Sequence, residues 1–109
     1  MPDTAFDHLD ALARFDATGL QKLDCRRSAR LFLGLNCLLP GQAQRVHAHA
    51  GADKFYLVLR GRATLVVGDE RRVVGPGDLA WAPAGVPHGV ESADEPTVLL
   101  VGLAPPSPV

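Results

Sequence analysis

Short apolar or alternating runs make up most of the chain after residue 20, and turn residues separate them. Alternation with a period of two is typical of strands whose two faces meet different surroundings. Gly, Pro and Asp interrupt the runs at close spacing. The predicted strands are Leu20–Cys25, Ala29–Leu39, Arg45–His49, Phe55–Leu59, Ala63–Val67, Arg71–Val74, Leu79–Ala82, Gly89–Glu91 and Val98–Leu103. Nine short strands with almost no helix predict an all-β sandwich or closed barrel.

The N-terminal segment carries a helical period instead. Apolar residues recur at helical spacing from Phe6 to Ala13. Thr4 with Asp7 resembles a weak capping box. We therefore expect a short helix over residues 4–15.

One domain accounts for the whole chain. A length of 109 residues suits a single core, so residues 1–109 form one domain with residues 1–18 as an N-terminal helical arm. Proline has no backbone donor, and the closing stretch APPSPV therefore cannot continue a central strand. Residues 104–109 are expected to form a flexible tail.

Charge and hydropathy exclude two classes of partner. The net charge is −1 at pH 7, so the chain lacks the positive footprint of a nucleic-acid-binding protein. No apolar run approaches the roughly 20 residues that span a bilayer, and the acidic N-terminus does not resemble a secretory signal. We therefore expect a cytoplasmic protein with no membrane partner, in which Cys25 and Cys37 stay reduced as buried structural thiols.

Three of the four histidines form a pattern typical of metal sites. His47 and His49 are two apart in the run RVHAH, and alternate residues of a strand face the same side. His88 follows the turn PAGVP at 83–87 and begins another strand. If that strand is a neighbour, three imidazoles converge on one ion and leave coordination positions open. A His-x-His pair alone is equally typical of a solvated strand face.

The spacing around these histidines resembles the first motif of the cupin superfamily. That motif is Gly, five residues, His-x-His, three or four residues, Glu, six residues, Gly. This chain has Gly41, His47, His49, Lys54 and Gly61 at those places, over residues 41–61.

The second cupin motif is matched as well. It is Gly, five residues, Pro-x-Gly, two residues, His, three residues, Asn. Over residues 77–92 the chain has Gly77, Pro83, Gly85, His88 and Ser92 at those places. Glycine suits such turns because it adopts positive φ and permits close backbone approach.

The resemblance implies a small single-domain cupin, a jelly-roll β-barrel whose mouth holds a divalent metal on His47, His49 and His88. Iron, zinc, nickel, manganese and copper all suit three imidazoles, so the metal stays open. Two positions depart from the motifs. Ser92 replaces an asparagine that is not a ligand in cupins, whereas Lys54 replaces the glutamate that is normally the fourth ligand.

Lys54 brings a positive charge to the place of a ligand, and three arrangements follow. The four-carbon stem turns the ammonium out into water, or the ammonium stays inside and binds an anionic group of a substrate, or metal binding has been lost and only the barrel remains. The neighbouring Asp53 is expected to face away, because adjacent strand residues face opposite sides, unless a bulge near Gly51 turns it inward.

The same alternation predicts the lining of the barrel. If Lys54 faces the cavity, so do Tyr56 and Val58, and the Tyr56 hydroxyl either contacts a ligand or belongs to an aromatic that fills the barrel. The preceding strand has two open registers. Their inward residues are Phe32, Asn36 and Leu38 in one, and Leu33, Leu35 and Cys37 in the other.

Two classes of function fit these expectations. The first is a metal-dependent enzyme, dioxygenase-like or isomerase-like, that acts on a small, anionic molecule, with Lys54 and Tyr56 as candidate catalytic residues. The second is a non-catalytic module that binds a metal or a metabolite. A homodimer is expected in either case, with the apolar run LFLGLNCLLPG and the early helix as its surface.

Overall fold

A computed structural model describes residues 4–106. Over these residues one short helix, α1 (Leu9–Leu12), precedes nine strands. The strands are β1 (Gln21–Arg27), β2 (Phe32–Leu38), β3 (Gln44–His47), β4 (Asp53–Arg60), β5 (Ala63–Val67), β6 (Glu70–Val74), β7 (Leu79–Ala82), β8 (His88–Ala93) and β9 (Thr97–Ala104). Each strand overlaps one predicted from the sequence, so the all-β fold class is confirmed.

Two antiparallel sheets enclose the interior. One has five strands in the order β1-β2-β9-β4-β7, and the other has four in the order β3-β8-β5-β6. Alternate residues of the strands point between the sheets and form one inner core. Its buried members are Leu38, Tyr56, Val58, Ala63, Leu65, Val74, Val90, Ala93, Leu99 and Val101.

Strand β4 alternates as predicted. Lys54, Tyr56 and Val58 are buried, whereas the residues between them are more exposed. On β2, Leu38 belongs to the inner core and Leu35 lies on the opposite face of the sheet. The structure therefore has the first of the two registers proposed for β2.

The N-terminal segment covers the outer face of the five-stranded sheet. Leu35, Cys37 and Val98 form an apolar cluster there, and partly buried residues such as Leu9 and Phe15 pack against it. The outer face of β2, one part of the surface expected to serve a homodimer, is thus partly covered within the chain itself, whereas Phe6 and Leu12 of the covering segment stay exposed. The homodimer remains a prediction.

The expected helix over residues 4–15 is wrong in extent, since only Leu9–Leu12 are helical. Thr4 and Asp7, the expected capping pair, make other contacts instead. The Asp7 carboxylate binds the Arg26 guanidinium at 2.7 Å, and the Thr4 hydroxyl accepts a hydrogen bond from a backbone N–H two residues later. Packing on the sheet therefore outweighs the weak helical preference of so short a segment.

The chain ends differ from the expected boundaries. Ala104 still belongs to β9, so the expected tail cannot begin at residue 104. Residues 107–109 of that tail and residues 1–3 of the expected arm lie outside the described residues. Across residues 4–106, no helix has the length and apolar character needed to cross a membrane.

Candidate metal centre and adjoining cavity

Three imidazoles come together where β3 and β8 pair. His47 lies directly opposite His88 in the antiparallel register, and their ring centroids are 4.6 Å apart. The His49 ring is 4.9 Å from that of His47 and 5.3 Å from that of His88. One ring nitrogen from each residue belongs to a set whose members lie within 4.8 Å of one another. The sequence predicts a strand from Arg45 to His49, but β3 ends at His47, so His49 lies just after the strand.

Backbone carbonyls orient two of these rings. The Nδ1 atom of His47 lies 2.8 Å from the carbonyl oxygen of Arg45, and that of His88 lies 3.0 Å from the carbonyl oxygen of Val86. A carbonyl oxygen only accepts, so each Nδ1 carries the proton and donates it. The Nε2 atoms of His47 and His88 then hold a free lone pair, which is the form that binds a metal.

Burial favours the neutral forms of His88 and His49. Desolvation lowers the pKa of His88 to about 4; the contact with Val86 opposes this lowering, and the charge of Lys54 adds to it. Desolvation, followed by the charge of Lys54, also lowers the pKa of His49. At pH 7 both rings are therefore unprotonated at one nitrogen and available as ligands.

The Nε2 atom of His88 shows that these residues fit a metal. His88 is only 1% exposed, and its Nε2 has no hydrogen-bond partner among the described residues. A buried polar atom without a partner is destabilising. Zinc bonds imidazole nitrogens at about 2.0–2.1 Å, so two such ligands lie within about 4 Å of each other. The observed set, within 4.8 Å, is slightly wider than that spacing.

A tight turn that begins at Pro83 holds His49 in place. The Pro83 carbonyl accepts a hydrogen bond from the N–H three residues later at 3.0 Å. Gly85 has a φ of +84°, as the third position of such a turn requires, and its N–H donates to the His49 carbonyl at 2.9 Å. The Asp53 carboxylate accepts a hydrogen bond from the Ala84 N–H at 2.9 Å. Asp53 therefore braces the turn, consistent with its predicted orientation away from the histidines.

A cavity of about 190 Å³ adjoins the histidines. His47 and His49 line it, and so do Lys22 and Lys54, the two lysines of the chain. Asn36 also lines it. Pockets for drug-sized ligands have volumes of roughly 300–1,000 Å³, so this cavity suits a smaller molecule. We refer to it below as the histidine cavity.

Lys54 stays inside the barrel. It is 7% exposed, and its Nζ lies 4.8 Å from the centroid of the Tyr56 ring, within the range of a cation–π interaction. Desolvation, with a smaller contribution from Lys22, lowers the pKa of Lys54 to about 8. The arrangement in which the ammonium turns out into water is therefore wrong, because the alternation of β4 directs the side chain inward and the aromatic face contacts its charge.

Tyr56 lies beneath the histidines in the core. It is 0% exposed, and its hydroxyl donates a hydrogen bond of 2.5 Å to Oε1 of Gln44. Its ring centroid is 6.0 Å from that of His88. This arrangement favours an aromatic that fills the barrel over a hydroxyl that contacts a ligand.

Sequence reasoning does not identify Lys22 and Gln44 as residues of the site. A signal exists for Lys22, which alternates along β1 with the apolar Leu23 and Cys25 and so faces the other side of the sheet. Whether Asn36 faces the cavity depends on which of the two registers of β2 forms, and the sequence leaves that choice open. No comparable signal marks Gln44, because its role arises from its contact with a residue 12 positions away.

Known proteins match the chain over most of its length. The family described as Cupin domain matches residues 34–102. Uncharacterized protein SCO3923 of Streptomyces coelicolor is 36% identical over 101 residues, which are 92% of this chain and 92% of that protein. The crystal structure of TT1209 from Thermus thermophilus has a TM-score of 0.89 and 43% identity, over 94% of this chain and 98% of that chain.

One solved structure with lower similarity carries the name of an enzyme. DMSP lyase DddQ from Ruegeria pomeroyi has a TM-score of 0.70 and 26% identity, over 79% of this chain and 47% of that chain. The family match spans more than half of this chain and includes both histidine motifs. The chain therefore belongs to the cupin family.

Proposed function

We propose that the protein binds one divalent transition metal through His47, His49 and His88 and acts as a metal-dependent enzyme on a small molecule. The observation that carries this proposal is the buried Nε2 of His88, which has no hydrogen-bond partner within residues 4–106 and belongs to a cluster of three imidazoles. Iron, zinc, nickel, manganese and copper all accept such donors. When bound, the metal supplies Lewis acidity beside the histidine cavity.

The arrangement of the chain's own residues favours a metal site that accepts a further ligand over a closed structural metal site. Three protein donors leave coordination positions open, as catalytic metal sites do. His47 and His49 also line the histidine cavity, so a molecule held there contacts the proposed ligands. Lys54 is enclosed in the same cavity and is the candidate to hold an anionic group or to move a proton.

Catalysis of a dioxygenase-like or isomerase-like kind is the activity we infer. The 26% identity to a DMSP lyase supports an enzyme on this fold. Oxygen uptake by the ferrous-loaded protein with small acids and diketones tests the first kind. Rearrangement of the same compounds without oxygen, followed by nuclear magnetic resonance, tests the second. Turnover in neither assay with any of the five metals contradicts the enzymatic part of the proposal.

Metal content tests the binding part. Elemental analysis of protein purified without an affinity tag is expected to show about one metal per chain, with a sharp loss in His49→Ala. His8→Ala is the matched control, because His8 is exposed in the N-terminal segment away from the cluster. Equal metal content in the two variants contradicts the assignment of His49.

A non-catalytic module that binds a metabolite is the second candidate. The observation that favours it is the pair of buried donors in the histidine cavity, Lys54 and Asn36, which need no metal to bind an anion. Anion binding that survives chelation, together with no turnover under any metal, supports this function over the enzymatic one.

A further inference from the structure

We infer that Lys54 and Asn36 form an acid-binding subsite, so that the molecule the histidine cavity accepts is a small carboxylic acid with oxygen acceptors at more than one position. This inference rests on the proposed function, because it names the substrate class of the same site.

The charge of the histidine cavity differs from that of the chain. The whole chain has a net charge of −1, yet three cations and one acid line the cavity: Lys22, Arg27, Lys54 and Asp24. The three proposed metal ligands are imidazoles, which bring no negative charge, and a bound dication adds two further positive charges. An acid bound in the cavity offsets this excess, since opposite charges attract strongly in a partly buried site.

Lys54 carries the buried share of the positive charge that lines the histidine cavity. Its side chain is 7% exposed, and the ion pairs formed by the described residues do not include it. Its ammonium is held over the Tyr56 ring at 4.8 Å. Burying a charge without a counter-charge is destabilising, and a carboxylate in the cavity removes that penalty by pairing with the ammonium.

Asn36 supplies a second donor. It is 3% exposed, and its Nδ2 has no hydrogen-bond partner among the described residues. An amide nitrogen only donates, so an oxygen acceptor is what this position lacks. Lys22 lies directly across from Asn36 in the pairing of β1 with β2, which adds a cation at the same end of the cavity.

The two donors are separated along the sheet. Asn36 and Val58 both pair with Leu99 from opposite sides, so two strand spacings, about 10 Å, separate them across the sheet. Lys54 precedes Val58 by four residues on β4, about 13 Å of strand. The Lys54 side chain shortens this distance by reaching over Tyr56. A molecule that satisfies both donors therefore carries oxygen atoms at two positions, as a dicarboxylic, hydroxy or oxo acid does. A phosphate monoanion offers three or four acceptors at one point and matches this spread less well.

Glutarate, whose two carboxylates are separated by three methylene groups, is the probe that tests the subsite, with neutral glutaramide as its matched control. Calorimetric titration into the metal-free protein is expected to show binding of glutarate and much weaker binding of glutaramide. Lys54→Met and Asn36→Leu keep similar volumes and are each expected to lower glutarate affinity, Lys54→Met by roughly tenfold or more. Arg62→Met, at an exposed position away from the cavity, is expected to leave the affinity unchanged.

Three outcomes overturn the inference: glutarate and glutaramide bind equally, phosphate binds in preference to glutarate, or both cavity variants keep wild-type affinity. The metal content of the purified protein, measured before the metal is removed, separates this failure from that of the proposed function. Normal metal content with no Lys54-dependent glutarate binding overturns the subsite alone. Lys54-dependent glutarate binding by a protein that purifies without metal and takes up none of the five metals overturns the metal centre alone.

Discussion

Replacing Lys54 with methionine is expected to stabilise the protein when metal and ligand are absent. Lys54 is 7% exposed, and its pKa falls from 10.5 to about 8 on folding. One pKa unit corresponds to 1.36 kcal/mol, so the protonated lysine costs about 3 kcal/mol of folding free energy at neutral pH. Methionine has similar length and no charge. We expect Lys54→Met to raise the free energy of unfolding by about 1–3 kcal/mol at pH 7.

The stabilisation by Lys54→Met is expected to decrease as the pH rises. Folding lowers the pKa of Lys54, so the folded protein binds the proton less tightly than the unfolded chain does. The penalty is present in full below about pH 8 and disappears as the pH rises toward 10.5. The advantage of Lys54→Met is therefore expected to shrink to about 1 kcal/mol or less at pH 10.

Urea unfolding of metal-free wild-type protein and Lys54→Met at pH 7 and pH 10 measures both effects. Lys22→Met is the matched control, because the other lysine is exposed and its replacement is expected to change stability by less than about 0.5 kcal/mol. A Lys54→Met variant that is no more stable than wild type at pH 7, or an advantage that does not depend on pH, refutes the burial of a charged Lys54.

Three further substitutions test other parts of the account. Lys54→Glu is expected to tighten metal binding by roughly tenfold or more, measured by competition with a chromophoric chelator, because it removes a positive charge and adds a carboxylate; unchanged or weaker affinity means that this position does not face the ion. Tyr56→Phe leaves Oε1 of Gln44 buried without its donor, and urea unfolding is expected to show a loss of about 1–3 kcal/mol; no loss contradicts that hydrogen bond. Gly61→Ala is expected to unfold at lower urea than Gly51→Ala, because Gly61 has a φ of +91° and its added methyl meets the backbone, whereas Gly51 has open space; equal midpoints contradict this account of the turn.

Short-range sequence patterns are sufficient to predict the strands and the histidine cluster. Alternation of apolar residues predicts the buried face of β4, and Lys54, Tyr56 and Val58 all lie on it. Glycine spacing predicts turns, and Gly85 has the positive φ that the turn beside His49 needs. These features depend on a few neighbouring residues, which a sequence displays directly.

Long-range contacts decide what sequence reasoning does not foresee. The helical period near Leu9 is real, yet the segment packs on the outer face of the sheet and forms a single turn of helix. The inward position of Lys54 depends on the Tyr56 ring and on the enclosure of the cavity. Asn36 joins the cavity only because one register of β2 forms. Each outcome is set by packing between distant parts of the chain.

X-ray absorption spectroscopy of the zinc-loaded protein tests the central claim most directly, because it counts the imidazoles bound to the ion. The three convergent rings predict three imidazole nitrogens at about 2.0–2.1 Å from zinc, and two in the His88→Ala variant. A wild-type spectrum with one imidazole or none, or one that His88→Ala leaves unchanged, would contradict a shared metal on His47, His49 and His88.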